Sequence, residues 1–507
     1  MTWMMAQFVA MLFTTPLLHV RAASPKVRPA AVAGAFYPAD PAQISSMIDD
    51  FLSKAALPPV DGTILAAVAP HAGYQYSGPV AAYTYAALKG HKYSRVVVIA
   101  PSHYVGFDFT SIYDGDAYTT PLGEVKVDKE FASKLAAMSS TMQLSDKGHQ
   151  ATSNAPEHSV EVQLPWLQKI LGGNFQIVPI VMGDQSYEAS RALGVALSKL
   201  IHDGGQEGGT LVLASSDMSH YHTYDDAETI DHKTLNALQL WDYFSMSRNF
   251  QYRTSDHPQG IWEACGGAPI VAAMIYAERM GASQAEVLRY ANSGDVTSDR
   301  SRVVGYSADL FLKTTHASAA ETPFSLTDAE KSELLALARK SAEYAVTNSS
   351  YYTPPASQSA TLNREYGAFV TITKAGDLRG CIGYTSPTKP LYLTVRDTAA
   401  LAALRDPRFS PVAVAELPSL AYEVSVLSPL RRVTDVAHIK VGEHGLIMKN
   451  GDSEGLLLPQ VPVEQHWDRQ TFLEQTCKKA GMNTNCWKDE NTDIFSFTAV
   501  VFNEHEK

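Results

Sequence analysis

Cysteine is scarce in this chain: Cys265, Cys381, Cys477 and Cys486 are the only four in 507 residues. Four so widely scattered cannot be the framework of a small disulfide-stapled scaffold, and no CxxC is present, which removes the main support for zinc-ribbon and thioredoxin-type readings. Positive charge is also short. Lys and Arg number 41 against 53 Asp and Glu, for a net charge of −12, and no basic block stands out. A nucleic-acid partner needs a clustered basic surface, so none is expected. Past residue 20 no apolar run is long enough to span a bilayer, and there is no internal repeat or low-complexity tract.

What is present fits a folded, multi-domain protein. The chain is 45% hydrophobic and 19% charged, and 507 residues exceed a single ordinary core, so two domains are expected. Residues 1–20 (MTWMMAQFVAMLFTTPLLHV) carry no acidic or basic side chain, and Val20-Arg21-Ala22 resembles a small-residue cleavage site. This predicts a signal peptide or membrane anchor over residues 1–23, hence an exported, periplasmic or membrane-anchored protein. A mis-assigned start would leave it cytoplasmic.

From residue 27 short apolar runs alternate with helical stretches. The runs are 63–69 (TILAAVA), 95–100 (RVVVIA), 175–182 (FQIVPIVM) and 210–214 (TLVLA). They are rich in β-branched residues and lack strict alternation, as expected of strands covered on both faces. Helical candidates fall at 78–88, 129–138, 160–171 and 186–202. This order predicts an α/β domain over 27–313. Residues 314–324 read as a polar, proline-ended linker. A helix opening with Ser325 or Thr327 as its cap begins a second domain, 325–503, of α+β texture.

Three of the four runs lead into chemically capable residues: Pro70-His71, Pro101-Ser102-His103, and Ser215-Ser216-Asp217-Met218-Ser219-His220. Ligands bind at the carboxyl ends of strands in such sheets, so these groups meet if the strands are parallel neighbours. Cys265 adds a thiol. A lone His is usually a surface residue, a lone Asp often a helix cap, and a free Cys usually a buried filler. Repetition at three strand ends argues instead for a shared metal pocket. Two imidazoles and one anion suit a divalent transition metal with open positions. The anion is Cys265, Asp217 or Glu263, and His220 is left to move protons. A further cluster, Glu157-His158-Ser159-Val160-Glu161, predicts a helix with Glu157 and Glu161 on one face. His158 either points at the pocket or sits on the surface.

The segments PHAGYQYSG (70–78), PSHY (101–104), EHSVEVQLPWL (157–167), SSDMSHY (215–221), CGGAP (265–269) and YANSGDVTSDRSRVVGYSA (290–308) resemble the Memo family over about 27–313. The resemblance implies a fold like that of the class III extradiol dioxygenases, which are non-haem iron enzymes. It also implies metal binding by His71, His103 and Cys265, with Asp217 and His220 in the same pocket and His220 in the place of the dioxygenases' acid/base histidine. Those enzymes have a carboxylate where Cys265 stands, so ring cleavage does not transfer. The metal expected is iron or copper, with zinc as a further candidate. The expected function is metal-dependent redox chemistry, with His220, Asp217 and His158 as catalytic residues. The substrate would be a small molecule or a protein-borne group. The alternative is a non-catalytic module that binds a peptide or modified residue in the same pocket.

In the second half LRGCIG (378–383), RDPRF (405–409), EHGL (443–446) and GLLLPQ (455–460) resemble the AMMECR family. The paired resemblance implies the AmmeMemoRadiSam grouping and a radical S-adenosylmethionine protein as partner. LRGCIG reads as a glycine-flanked turn. Either it is structural, which is favoured, or Arg379 holds an anion, with Arg405 and Arg408 completing the pocket and Cys381 reactive. Cys477 and Cys486, nine positions apart, are expected to form a disulfide in an exported protein.

Overall fold

The computed structural model describes residues 24–57, 59–206, 208–249, 263–314, 324–364, 366–384 and 389–504. The expected signal peptide or anchor at 1–23 and almost all of the expected linker lie outside the described residues. Among those residues no helix is long and apolar enough to cross a membrane.

The first domain is built on a nine-stranded mixed sheet. Its centre is four parallel strands in the spatial order Thr63–Ala69, Thr210–Ser215, Arg95–Pro101, Gln176–Met182. The antiparallel strands Val303–Lys313 and Thr110–Tyr113 flank this centre. Alternate residues of one strand enter different cores: Val97 and Ile99 pack on one face, Val96 and Val98 on the other. Burial on both sides is why these strands read as unbroken apolar runs. One face is covered by helix Gly267–Arg279, whose residues from Gly267 to Ala277 are all buried, and by helix Tyr187–Asp203. The two helices meet at Gly194, where a Cβ would lie 2.7 Å from the Ala272 carbonyl oxygen.

The second domain is a largely antiparallel sheet in the order Asp377–Tyr384, Ala368–Lys374, Leu420–Leu427, Asp493–Asn503, His444–Asn450, Ser453–Leu457. Helices Asp328–Asn348 and Leu391–Leu404 cover it. The first of these starts at Thr327, which exchanges capping hydrogen bonds with Glu330. Cys477 and Cys486 are disulfide-bonded, with Cα atoms 5.8 Å apart.

LRGCIG is not a turn. It lies inside strand Asp377–Tyr384. Its glycines serve close packing: a Cβ on Gly380 would lie 2.2 Å from the Ala402 carbonyl oxygen, and one on Gly383 equally close to the Phe369 ring. The anion-pocket alternative fails as well. Arg379 is spent on both carboxylate oxygens of Glu416 and on the Ser410 and Pro411 carbonyls. Arg408 is spent on Asp406, and Arg405 is exposed.

The two domains share one core. Leu427, Leu430, Ile447, Phe495 and Phe497 of the second domain join the cluster formed by Trp241, Tyr243, Phe244 and the Gly267–Arg279 helix. Phe244 stacks on Phe495 with centroids 4.8 Å apart. Beside this contact Asp493, 1% exposed, accepts from the Tyr187 hydroxyl (2.7 Å), Arg191 Nε (2.5 Å) and Arg432 Nε (3.2 Å). Arg432 also pairs with Glu278 at 3.5 Å. Burial opposes charge on Asp493, but Arg191 and Arg432 outweigh it and lower its pKa.

Candidate metal centre

The parallel centre of the sheet brings the three sequence motifs together. The strands leading to His71, Asp217 and His103 are consecutive neighbours, so their carboxyl ends open on one place. Cys265 arrives just ahead of helix Gly267–Arg279, and its amide donates to the Asp217 carbonyl at 3.0 Å. The glycine that follows is required: a Cβ on Gly266 would sit 2.4 Å from the Ser215 carbonyl oxygen.

Ligand-capable atoms of His71, His103 and Cys265 all lie within 4.8 Å of one another. Bonds of about 2.0–2.3 Å to a shared ion would place such atoms no more than about 4.5 Å apart, so small adjustments suffice. The hydrogen bonds behind the rings decide which nitrogens are bare. His71 Nδ1 lies 3.0 Å from Ser215 Oγ. That hydroxyl gives its only hydrogen to the Ser159 carbonyl at 2.5 Å and accepts from Gln163 Nε2 at 2.7 Å. It can therefore only accept from His71. Nδ1 carries the proton, and Nε2 is left with a lone pair that is buried and has no hydrogen-bond partner.

His103 is fixed in the same sense. Its Nδ1 lies 2.9 Å from Glu157 Oε1, and its backbone amide donates to Glu157 Oε2 at 2.7 Å. Glu157 also accepts from the amides of His158 and Ser159 and from the Ser159 hydroxyl. Burial opposes its charge, yet these donors hold its pKa down at about 2. An ionised carboxylate only accepts, so His103 donates from Nδ1 and turns Nε2 to Cys265 Sγ, 3.1 Å away. Burial resists a charge on His103, but Cys265 and Glu157 prevail and push its pKa up to about 11. With an ion replacing the proton between His103 Nε2 and Sγ, two imidazole nitrogens and a thiolate would fit a transition metal, and carboxylate and hydroxyl groups orient the rings from behind.

The other expected residues divide. Asp217 is 3% exposed and accepts at Oδ1 from the amides of His71 (2.7 Å) and Ala72 (3.2 Å). Its Oδ2 lies 3.9 Å from His71 Nε2 and 4.0 Å from His220 Nε2. Burial pushes its pKa up to about 7. His220 donates from Nδ1 to the Met218 carbonyl at 3.0 Å, and burial lowers its pKa to about 4. His158 faces the pocket: its ring stacks on His103 with centroids 4.5 Å apart. Glu263 does not join them; it pairs with Lys233 at 2.8 Å.

Glu157 and Glu161 do not share a helical face. Only Glu161–Gln163 form a short 3-10 turn, and Glu161 turns away to Arg28, Tyr37 and the amides of Ala31 and Val32. The sequence reading missed the roles of Glu157, Ser215 and Gln163. Their one signal was that they sit beside the histidine motifs. It also missed two exposed tyrosines that follow site histidines, Tyr104 and Tyr221. Tyr221 has a φ of 64°, strained for a bulky residue.

Residues 28–310 match the family model described as Memo-like protein, and residues 335–502 match that of AMMECR1. A MEMO1 family protein of Methanopyrus kandleri is 39% identical over 296 residues, covering 56% of this chain and 99% of the relative. One of Sulfolobus acidocaldarius is 36% identical over 297 residues, covering 56% and 99%. Among solved structures, an uncharacterized protein of Pyrococcus horikoshii matches at 40% identity and a TM-score of 0.34, covering 36% of this chain and 95% of its own. The chain therefore belongs to the Memo family and carries a second, AMMECR1-matching region in the same polypeptide.

Proposed function

We propose that this protein is a metal-dependent redox enzyme. His71 Nε2, His103 Nε2 and Cys265 Sγ would hold iron or copper, with zinc as the redox-silent candidate. The observation that carries this reading is the lone pair of His71 Nε2: it is buried, has no partner, and has its proton fixed on the opposite nitrogen. A buried polar atom left this way costs free energy unless something fills the gap. When bound, the ion would supply one-electron chemistry and open positions for a substrate or oxygen.

The chain's own groups then hold and move protons. His220 keeps Nε2 bare, because Nδ1 donates to Met218, and so takes up or returns a proton at that atom. Asp217, pushed toward neutrality by burial, lies within 4.0 Å of it and is the second proton store. His158 shields one face of His103 by stacking. Tyr104 and Tyr221 stand at the rim and favour a substrate with an apolar or planar part, either a small molecule or a group on a peptide. The fold of the first domain is read as being of the extradiol dioxygenase type. Cys265 in place of a carboxylate argues against ring cleavage, since a thiolate alters the potential of the ion and is itself oxidisable. The domain pairing supports a radical S-adenosylmethionine protein as partner, and the Cys477–Cys486 bond supports export to an oxidising compartment.

Metal content after anaerobic purification tests the reading. Wild type should hold about one iron or copper per chain and His71→Ala less than a tenth of that. Equal content in the two proteins, or none in wild type, would leave the binding-module alternative standing.

A further inference from the structure

We propose that the cleft between the two domains is a second ligand site, distinct from the histidine–cysteine pocket, and that it takes a small organic anion with an apolar body. A cavity of about 520 Å³ lies there. This is the size of a small-molecule pocket, and such pockets concentrate at domain interfaces. It far exceeds the voids that imperfect packing leaves in a core.

The walls are held apart. Leu427 and Leu430 line the cavity and also belong to the core the two domains share. The Asp493 network and the Phe244–Phe495 stack clamp the same seam, so the cleft cannot close by a domain shift without breaking buried ion pairs. The lining is apolar over much of its extent, with Leu240, Met246 and Val287 from the first domain and Tyr366 from the second.

The charges nearly cancel. Lys233 is paired with Glu263, Asp242 lies in the field of Arg431, and the Tyr290 hydroxyl is committed to Asp231. Arg364 remains. It lines the cavity, and its guanidinium has no ion pair or hydrogen bond among the described residues. The side-chain amides of Asn236 and Gln239, on helix Tyr224–Gln239 of the first domain, are uncommitted in the same sense. One unmatched guanidinium beside two amides and an apolar floor is complementary to a carboxylate or sulfonate on a hydrophobic frame. Glu263 in the cavity wall precedes Cys265 by two residues, so an occupant would touch the segment that carries the thiol. This gives the second domain a physical connection to the chemistry of the first.

The test is a fluorescence titration of the full chain with 8-anilinonaphthalene-1-sulfonate, an apolar ring system bearing one sulfonate. Wild type should show one saturable site. Arg364→Gln should weaken it at least threefold, Leu240→Trp should fill the cavity and abolish it, and His71→Ala should bind as wild type does. The uncharged N-phenyl-1-naphthylamine should bind wild type and Arg364→Gln alike. Absence of saturable binding, a loss under threefold in Arg364→Gln, or loss in His71→Ala would overturn the proposal. The Arg364 arm decides the matter even if Leu240→Trp fails to fold, because Arg364 is exposed.

Discussion

The seam between the domains and the pocket at the strand ends both bury polar side chains, and they treat them in opposite ways. At the seam the carboxylates of Asp493 and Glu278 meet cations: Asp493 takes Arg191 and Arg432, and Glu278 takes Arg432. In the pocket the outer nitrogen of each ring is satisfied by Ser215 or Glu157, while the inner nitrogens converge with Cys265 Sγ, that of His71 without a partner and that of His103 3.1 Å from the sulfur. Full satisfaction marks a structural role, and a convergent set of bare donors marks a binding role. The Arg379–Glu416 and Arg408–Asp406 pairs of LRGCIG and RDPRF belong with the seam.

The largest break in this comparison is Asp493→Ala. It leaves Arg191 without its carboxylate and Arg432 with Glu278 alone, and should cost about 3–5 kcal/mol in a denaturant titration, with metal content per folded chain unchanged. Glu157→Gln should do the reverse. Once the carboxylate is gone, His103 is no longer held in one tautomer, so metal affinity in a chelator competition should fall about 10–100-fold.

Asp309 sharpens the rule, since it is a buried group with an unpartnered oxygen that lies outside the pocket. Burial pushes its pKa up to about 7, against about 3.9 in an unfolded chain. Between these values the folded state holds the extra proton, so this group makes stability fall as pH rises. Asp309→Asn should therefore stabilise by on the order of 4 kcal/mol at pH 8 and by almost nothing at pH 4. Melting curves at the two pH values check the sign. The smallest effect is expected from Arg379→Gln: about 1–2 kcal/mol of stability and no change in metal content or in its pH dependence.

Much of the site was legible before the structure. The four central strands fall within a residue or so of the apolar runs, because burial on both faces leaves a continuous hydrophobic signature. His71, His103 and Asp217 each follow such a run, so parallel neighbouring strands had to bring them together. Cys265 follows no strand, and only the family resemblance placed it. LRGCIG was misread because glycine is equally at home in a turn and in a strand pressed against a helix. Only the partner, here Ala402, tells the two apart. The Glu157–Glu161 pair was misread because four-residue spacing implies a shared face only where the backbone is helical, and 157–160 are not.

What the amino-acid order determined by itself was the α/β layering, the motif at each strand end and the capped start of the second domain, since local periodicity and capping chemistry suffice for these. Only the tertiary structure decided that Glu263 faces away from the pocket while Glu157 locks His103. It alone decided which nitrogen of His71 is bare, and that Asp493 meets Arg191 some 300 positions away. Those outcomes depend on which side chains share a buried volume, and no local pattern encodes that.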